Sequence, residues 1–368
     1  MVWYARRWSA GGCRGDTPLF VAVHLIQGDT LKFVDLFYPS DWLASRNPAS
    51  MGLNRQTRNW AFETGLIRPQ DTELDRMREA LDPEAFVGWV HPLTRSVDFL
   101  RLITDFTVWI VVLDDELEKI TPGMGSEERA ELLRGFETMM EGGDAPRVSR
   151  YSMGFHDFVS RLGALVGGEH GPRLTAQFRS MLAQMLWMVV WEEPKASLSW
   201  QDRNFYEAVR PKVTQFFWYF LFVQIADNCY LPEAVVQDPR VERLSTLGSL
   251  IFGLINDIVS VSTDDTGQPV MNAVLIHKYR ERCDQAEAIA AVARWHNECV
   301  AELVRAARTA AEGAGASGHD VETYARGIQN TLRGAVEWML RVNRYTVPAS
   351  CQLRIVSKLG EDEAVLAR

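Results

Sequence analysis

From about residue 55 to residue 345 the apolar residues recur at helical spacing, and alternating strand patterns are nearly absent. Explicit breakers divide the run: Pro92 and Pro122-Gly123 around one long segment, then Gly142-Gly143 with Pro146, Gly167-Gly168, Gly171-Pro172, Pro194 and Gly313 to Gly318. The pattern predicts helices around 55–66, 72–81, 93–119, 126–141, 150–167, 172–192, 200–227, 239–262, 270–277, 284–312 and 319–345. Several are apolar on most sides, which implies a bundle with buried central helices rather than a set of surface helices. The expected organisation is one all-α domain over 35–346. An extension over 1–34, with a short strand at Leu19 to Leu25, precedes it, and a tail over 347–368 follows.

Composition narrows the function classes. With 368 residues, 47% of them hydrophobic, the chain has enough material for a large core. The net charge of −9 and the lack of long Lys/Arg runs argue against a nucleic-acid partner. The five cysteines are scattered and form no CxxC pair, which fits thiols in a reducing cytoplasm. No apolar stretch follows Arg6-Arg7, so no signal peptide is read. The longest greasy run, Val213 to Ala226, is short for a membrane span and contains Gln215 and Gln224, so it reads as a buried helix and not a stable insertion. Twelve Trp, 17 Phe and 9 Tyr leave two readings open, a packed core or a cavity walled with rings.

Two polar clusters end two very apolar segments. After VWIVVL come Asp114-Asp115-Glu116-Leu117-Glu118. On a helix Asp114 and Glu118 lie about 40° apart, with Asp115 beside them. Three acids on one patch repel one another unless a divalent cation sits there, and hard oxygen ligands suit Mg²⁺. The same residues also read as a solvated acidic helix end. After LIFGLI come Asn256, Ser260 and Asp264, spaced i, i+4, i+8, which drift only about 80° over two turns. An amide, a hydroxyl and a carboxylate form a hard site of low charge, fit for one Mg²⁺ shared with a diphosphate. The alternative is a polar helix end with capping residues.

Together these residues resemble bacterial class I terpene synthases. Asp114, Asp115 and Glu118 match that family's aspartate-rich motif. Asn256, Asp257, Ser260 and Asp264 match its second metal motif, with Asp at the end where Glu is commoner and Thr263 where Lys is common. Arg210 stands where the family places a diphosphate-sensing arginine, and Arg344-Tyr345 matches its C-terminal pair that contacts diphosphate. Asn47-Pro48 and Trp60 to Leu66 look like its N-terminal region.

The resemblance implies a class I helical bundle around a central cavity. It implies three Mg²⁺ ions, a prenyl diphosphate substrate and a helix break just after Arg210, near Thr214. A homodimer is compatible with it. The favoured substrate is C15 farnesyl diphosphate, with C20 geranylgeranyl diphosphate as the alternative. A non-catalytic helical interaction module is the reading from a different class. Chain-elongating prenyl transferases would resemble a second DDxxD, squalene and phytoene synthases paired DxxxD motifs, and protonation-started cyclases a DxDD. None is present.

Helical phase nominates the substrate-facing wall. Phe252 lies one turn before Asn256. Thr107, Ile110 and Val111 share the Asp114 face, whereas Trp109 points elsewhere and reads as core. Thr214, Phe217 and Trp218 share the Arg210 face, and Trp338 shares one with Tyr345. Trp187 and Trp191 fit wall or core equally. His91, His277 and His296 show no metal spacing and read as surface or satisfied core residues.

Overall fold

In the computed structural model the chain is described at residues 32–191, 203–214, 216–266, 270–342, 345 and 351–358, apart from the side chains of Lys32, Glu118 and Trp191. The strand expected at Leu19 to Leu25 lies outside these residues. The first half forms α1 (Leu53–Glu63), α2 (Thr72–Leu81), α3 (Pro83–Val90), α4 (Val97–Ile120), α5 (Ser126–Met140), α6 (Ser149–Val166) and α7 (His170–Trp191). The second half forms α8 (Arg203–Val213), α9 (Phe217–Ala226), the short α10 (Glu233–Val236), α11 (Pro239–Asp264), α12 (Ala273–Glu281), α13 (Gln285–Gly313) and α14 (Gly318–Met339).

Local chemistry explains where these helices start and stop. Ser96 caps α4 by accepting from Phe99 N–H at 3.1 Å. Asp238 caps α11, with Pro239 at the first helical position. Asp284 and Glu287 form a reciprocal capping box on α13. Helix α11 is the core helix: every residue from Leu247 to Val261 is buried. It packs on α8, α9, α12, α13 and α14. By length and apolarity alone α11 would pass as a membrane span, but most of its apolar window is covered by the rest of the bundle.

The short α10 was not among the expected elements, and the structure departs from them in four further places. Helix α3 was not expected. Asp82 closes α2 at φ +46° and then caps α3 in front of Pro83, so two helices meet without a loop. The expected helix over 200–227 divides into α8 and α9. Pro211 lacks the N–H that would bond to the preceding turn, and α8 stops two residues later. Helix α14 ends at Met339, not 345. Finally, β1 (Lys32–Phe37) pairs in parallel with β2 (Cys351–Val356), in the register Lys32 to Cys351 through Phe37 to Val356. The boundary expected at residue 34/35 therefore falls inside a strand, and part of the tail is tied to the front of the domain. Strand pairing between distant segments is invisible to local periodicity.

Strand β1 lies on α13, where Asn297 bonds to its backbone. The Asn297 amide accepts from Phe37 N–H at 2.8 Å and donates to the Asp35 carbonyl at 3.0 Å. Next to it His296 is fully buried, 3.0 Å from the Tyr38 hydroxyl. His91 is also buried, edge-on to Phe99. Both are core residues. Burial holds the His296 imidazole down to about 4 and that of His91 down to about 3.

The sign of the pH effect follows. Between about pH 4 and 6.5 the unfolded chain protonates His296 while the folded chain does not, so this stability is present above 6.5 and lost as pH falls. Asp227, raised to about 6 by burial, acts in the opposite sense over part of the range. A comparison with a variant isolates the histidine. Between pH 7 and 5 the wild type should lose roughly 2 kcal/mol more unfolding free energy than His296→Gln. Urea unfolding at the two pH values checks this, and equal losses would show that His296 is not held neutral.

Candidate active site

The strip on α11 is real in three dimensions and deeply buried. Asn256, Ser260 and Asp264 are 4%, 5% and 3% exposed. Buried polar groups need partners. Ser260 donates its hydroxyl to Asp264 Oδ2 at 2.6 Å, and the Asn272 amide donates to the same oxygen at 2.9 Å. Asp264 Oδ1 is buried and has no hydrogen-bond partner. A buried carboxylate oxygen left open on the helix strip that also carries an amide and a hydroxyl oxygen is a donor set that a hard divalent cation takes. The residues present therefore fit Mg²⁺. Among the described residues no group of three His, Cys, Asp or Glu gathers at metal-binding distance, so the amide and hydroxyl of this strip matter.

Arg210 lies against the same strip. Its Nη2 donates to Asn256 Oδ1 at 3.1 Å and forms a very short contact with Asp257 Oδ1. The Arg210 and Asp257 side chains are 2% and 1% exposed. Asp257 also accepts the Tyr206 hydroxyl and the Ala273 N–H, both at 2.6 Å. Burial would lower the Arg210 pKa, but the Asp257 carboxylate, with Tyr206 and Asp264, more than reverses this and keeps the guanidinium charged. Arg210 Nε is buried and makes no hydrogen bond. The approach of α8 to α11 requires Gly253, where a Cβ would sit 2.9 Å from Arg210 Cγ and 3.0 Å from Thr214 Cγ2. Helix α8 ends at Val213, so a break follows Arg210 at Thr214, which is buried and donates its hydroxyl to the Pro211 carbonyl at 3.1 Å.

Asn256 Nδ2 donates to the Tyr345 hydroxyl at 3.3 Å. Tyr345 thus reaches the second metal motif from the C-terminal segment. Arg344 lies outside the described residues. Trp338 and Tyr345 do pack together, perpendicular at 5.6 Å, but not through helical phase, because α14 has ended at Met339.

The first cluster closes α4. Asp114 and Asp115 are 2% and 3% exposed, so the solvated-end reading does not describe them. Asp115 accepts an ion pair from Lys119 at 3.2 Å, and Glu116 pairs with Arg150 at 3.1 Å. The Glu118 side chain lies outside the described residues. In the second motif Thr263 donates to the Ser260 carbonyl at 2.7 Å, and Lys278 pairs with Asp265 at 2.9 Å.

Among the nominated wall residues, Phe252 stacks face to face on Phe216 at 3.6 Å. Phe216 and Tyr219 both meet Phe86, which meets Trp338 at 4.8 Å. Thr107 bonds to the Tyr219 hydroxyl at 2.9 Å. Phe252, Trp338, Thr107 and Tyr345 therefore belong to one connected set of contacts. Val111 is buried on α4. Phase does not connect Arg210 to Phe217 and Trp218, because the helix breaks between them. Trp218 packs instead on Phe106 and Phe178, and Phe217 is half-buried beside it. Trp109 donates to the Tyr151 carbonyl at 3.1 Å, a core contact. Trp187 is 61% exposed and is neither wall nor core. Trp191 lies outside the described side chains.

Phase reasoning missed Phe86, Phe216, Tyr219, Tyr206 and Asn272. Phe86 sits on the unexpected α3, and Phe216 sits in the break. Asp257 was matched to the motif but given no role. For Tyr206, Phe216 and Tyr219 the sequence signal was the density of aromatics around 205–222, whereas Phe86 and Asn272 carried none.

Comparison with known proteins places this geometry. The family model described as terpene synthase family 2, C-terminal metal binding, matches residues 105–302, more than half of the chain. The 10-epi-cubebol synthase of Sorangium cellulosum is 23% identical over 82% of this chain and 95% of its own length. A 4-epi-cubebol synthase of Streptosporangium roseum, described as cyclising (2E,6E)-farnesyl diphosphate, is 21% identical over 84% of this chain and 91% of its own. Germacradien-4-ol synthase from Streptomyces citricolor shares the fold, with a TM-score of 0.63 and 20% identity over 80% of this chain and 94% of that one. Metal binding belongs to the matched region, which spans both polar clusters and Arg210, and this sets aside the interaction-module reading. The chain belongs to the bacterial class I terpene synthases.

Proposed function

We propose that this chain ionises and cyclises C15 farnesyl diphosphate to a sesquiterpene. The observation that carries this is the buried Asn256–Ser260–Asp264 strip, with Arg210 and Tyr345 both hydrogen-bonded to Asn256. The choice of C15 is supported by the substrate named for the Streptosporangium relative. Asn256, Ser260 and Asp264 would hold one Mg²⁺, and Asp114, with Asp115 and Glu118, would hold the others of an expected three. When bound, the metal neutralises diphosphate charge and makes diphosphate a good leaving group.

The protein's own groups supply the rest. Arg210 is held charged by Asp257 and still has its Nε to donate to a diphosphate oxygen. Arg344 and the Tyr345 hydroxyl add donors from the C-terminal segment. Phe86 and Trp338, with the faces of Phe216 and Phe252 that their mutual stack leaves uncovered, would offer π-density to an allylic cation, worth up to about 2 kcal/mol per ring when water is excluded. Thr107, Val111, Thr214, Phe217 and Trp218 are the remaining proposed contacts with the hydrocarbon. Cys229, Cys283 and Cys299 are thiols, which supports a cytoplasmic location.

Incubation with C10, C15 and C20 diphosphates, with Mg²⁺ or with a chelator, tests the reading by mass spectrometry of the products. A cyclic C15 product that disappears with the chelator is expected. A product from the C20 substrate alone would overturn the chain length, and none from any substrate would overturn the cyclase reading.

A further inference from the structure

Asn272 lies at the start of α12, is completely buried, and uses every hydrogen-bonding capacity of its amide. Its Oδ1 accepts from Val274 N–H at 2.9 Å and Leu275 N–H at 3.3 Å, which caps the helix. Its Nδ2 donates to the Asp257 backbone carbonyl and to Asp264 Oδ2, both at 2.9 Å. The partners fix the orientation of the amide, because backbone N–H groups require the oxygen and the carbonyl and carboxylate require the nitrogen. Aspartate has the acceptor but no donor, serine can cap but is too short to reach both oxygens, and glutamine adds a methylene in a filled space. The site is specific for asparagine.

The consequence falls on Asp264. Asn272 and Ser260 both donate to Oδ2, which leaves Oδ1 as the open oxygen of that carboxylate. A carboxylate tethered through one oxygen presents the other in a fixed direction. The next residue, Ala273, gives its N–H to Asp257, the partner of Arg210. The N-terminus of α12 therefore braces the last ligand of the metal strip and the counterion of the diphosphate-facing arginine from the same side.

We propose that Asn272 is a positioning residue that orients Asp264 for Mg²⁺. The inference rests on reading the α11 strip as a metal site. Groups that orient metal ligands from outside the coordination shell typically change metal affinity by about 10–100-fold when removed. Two variants keep a capping acceptor while losing the amide donor, Asn272→Ser and Asn272→Asp.

The full-length chain is titrated calorimetrically with Mg²⁺ in the presence of inorganic diphosphate, and melting is followed without metal. The wild type should bind. The variants should melt below it, because the buried Asp257 carbonyl loses its donor, and at a temperature where they remain folded they should need about 10–100-fold more Mg²⁺ for half-saturation. Their turnover should recover as Mg²⁺ is raised, because Arg210 and the ring contacts are untouched. A variant that binds Mg²⁺ with wild-type affinity overturns the role of Asn272 and leaves the strip as a metal site. A wild type that binds no Mg²⁺ with diphosphate overturns both. Should one variant fail to fold, the other carries the test.

Discussion

Asp257→Ala will destabilise the chain by about 3–5 kcal/mol, the cost of leaving one member of a buried ion pair behind. Arg210 is 2% exposed, so little water can replace the lost carboxylate. Its other acceptor at this end is the Asn256 amide oxygen, which is neutral. The Tyr206 hydroxyl and Ala273 N–H also lose their acceptor, and each such orphan adds to the cost. Asp257→Asn keeps the shape and one acceptor and should cost less. Urea unfolding of the three proteins measures the differences. A loss below about 1 kcal/mol for the alanine variant would mean that Arg210 finds another counterion, of which Asp264 is the nearest candidate by its electrostatic influence. Substrate binding should also suffer, since Asp257 holds Arg210 in place.

Asn256→Ala is expected to cost less in stability than Asp257→Ala and more in turnover. Its bond to Tyr345 is worth about 1 kcal/mol and the one from the charged Arg210 about 1.5–3 kcal/mol, and no charge is left without its counterion. In turnover, the variant loses an oxygen ligand in the proposed metal site together with the group on which Arg210 and Tyr345 converge. Weakening several kcal/mol of charge stabilisation on a departing diphosphate corresponds to a rate loss on the order of a thousandfold. Product formation from farnesyl diphosphate at saturating Mg²⁺ reads the turnover, and thermal melting reads the stability. Full turnover in the variant would remove the α11 strip from the mechanism. A drop in melting temperature as large as that of Asp257→Ala would instead mark Asn256 as a structural residue.

These two residues are neighbours in sequence and neither is exposed, yet the expected phenotypes diverge. Asp257 is engaged by three donors inside the protein. Asn256 spends its amide on Arg210 and Tyr345, the two groups proposed to contact the diphosphate. Only the partners distinguish them.

Much of the site could be read from residue order alone. The i, i+4, i+8 spacing of Asn256, Ser260 and Asp264 is a local property, because helix geometry converts spacing into a shared face with no further information. Helix α4 likewise carries Asp114 and Asp115 out of a core stretch, and both are buried as an apolar approach to a polar end requires. Reading failed where a helix was assumed to continue. Phase was carried from Arg210 through to Trp218 across a break that Pro211 and the following residues create, and from Trp338 to Tyr345 across a terminus. Each added residue multiplies an error in phase, so a single stop moves every later side chain.

The sequence by itself determined the helical class, the core character of α11 and the identity of the polar strip, because these depend on composition and on a period of 3.6 residues. The tertiary structure decided which groups the strip meets. Asn272 reaches Asp264 from the next helix, Tyr345 reaches Asn256 across 89 residues of chain, and β2 finds β1 across most of the chain's length. Such contacts are set by how helices pack and where the chain turns, and no local pattern encodes a partner on another element.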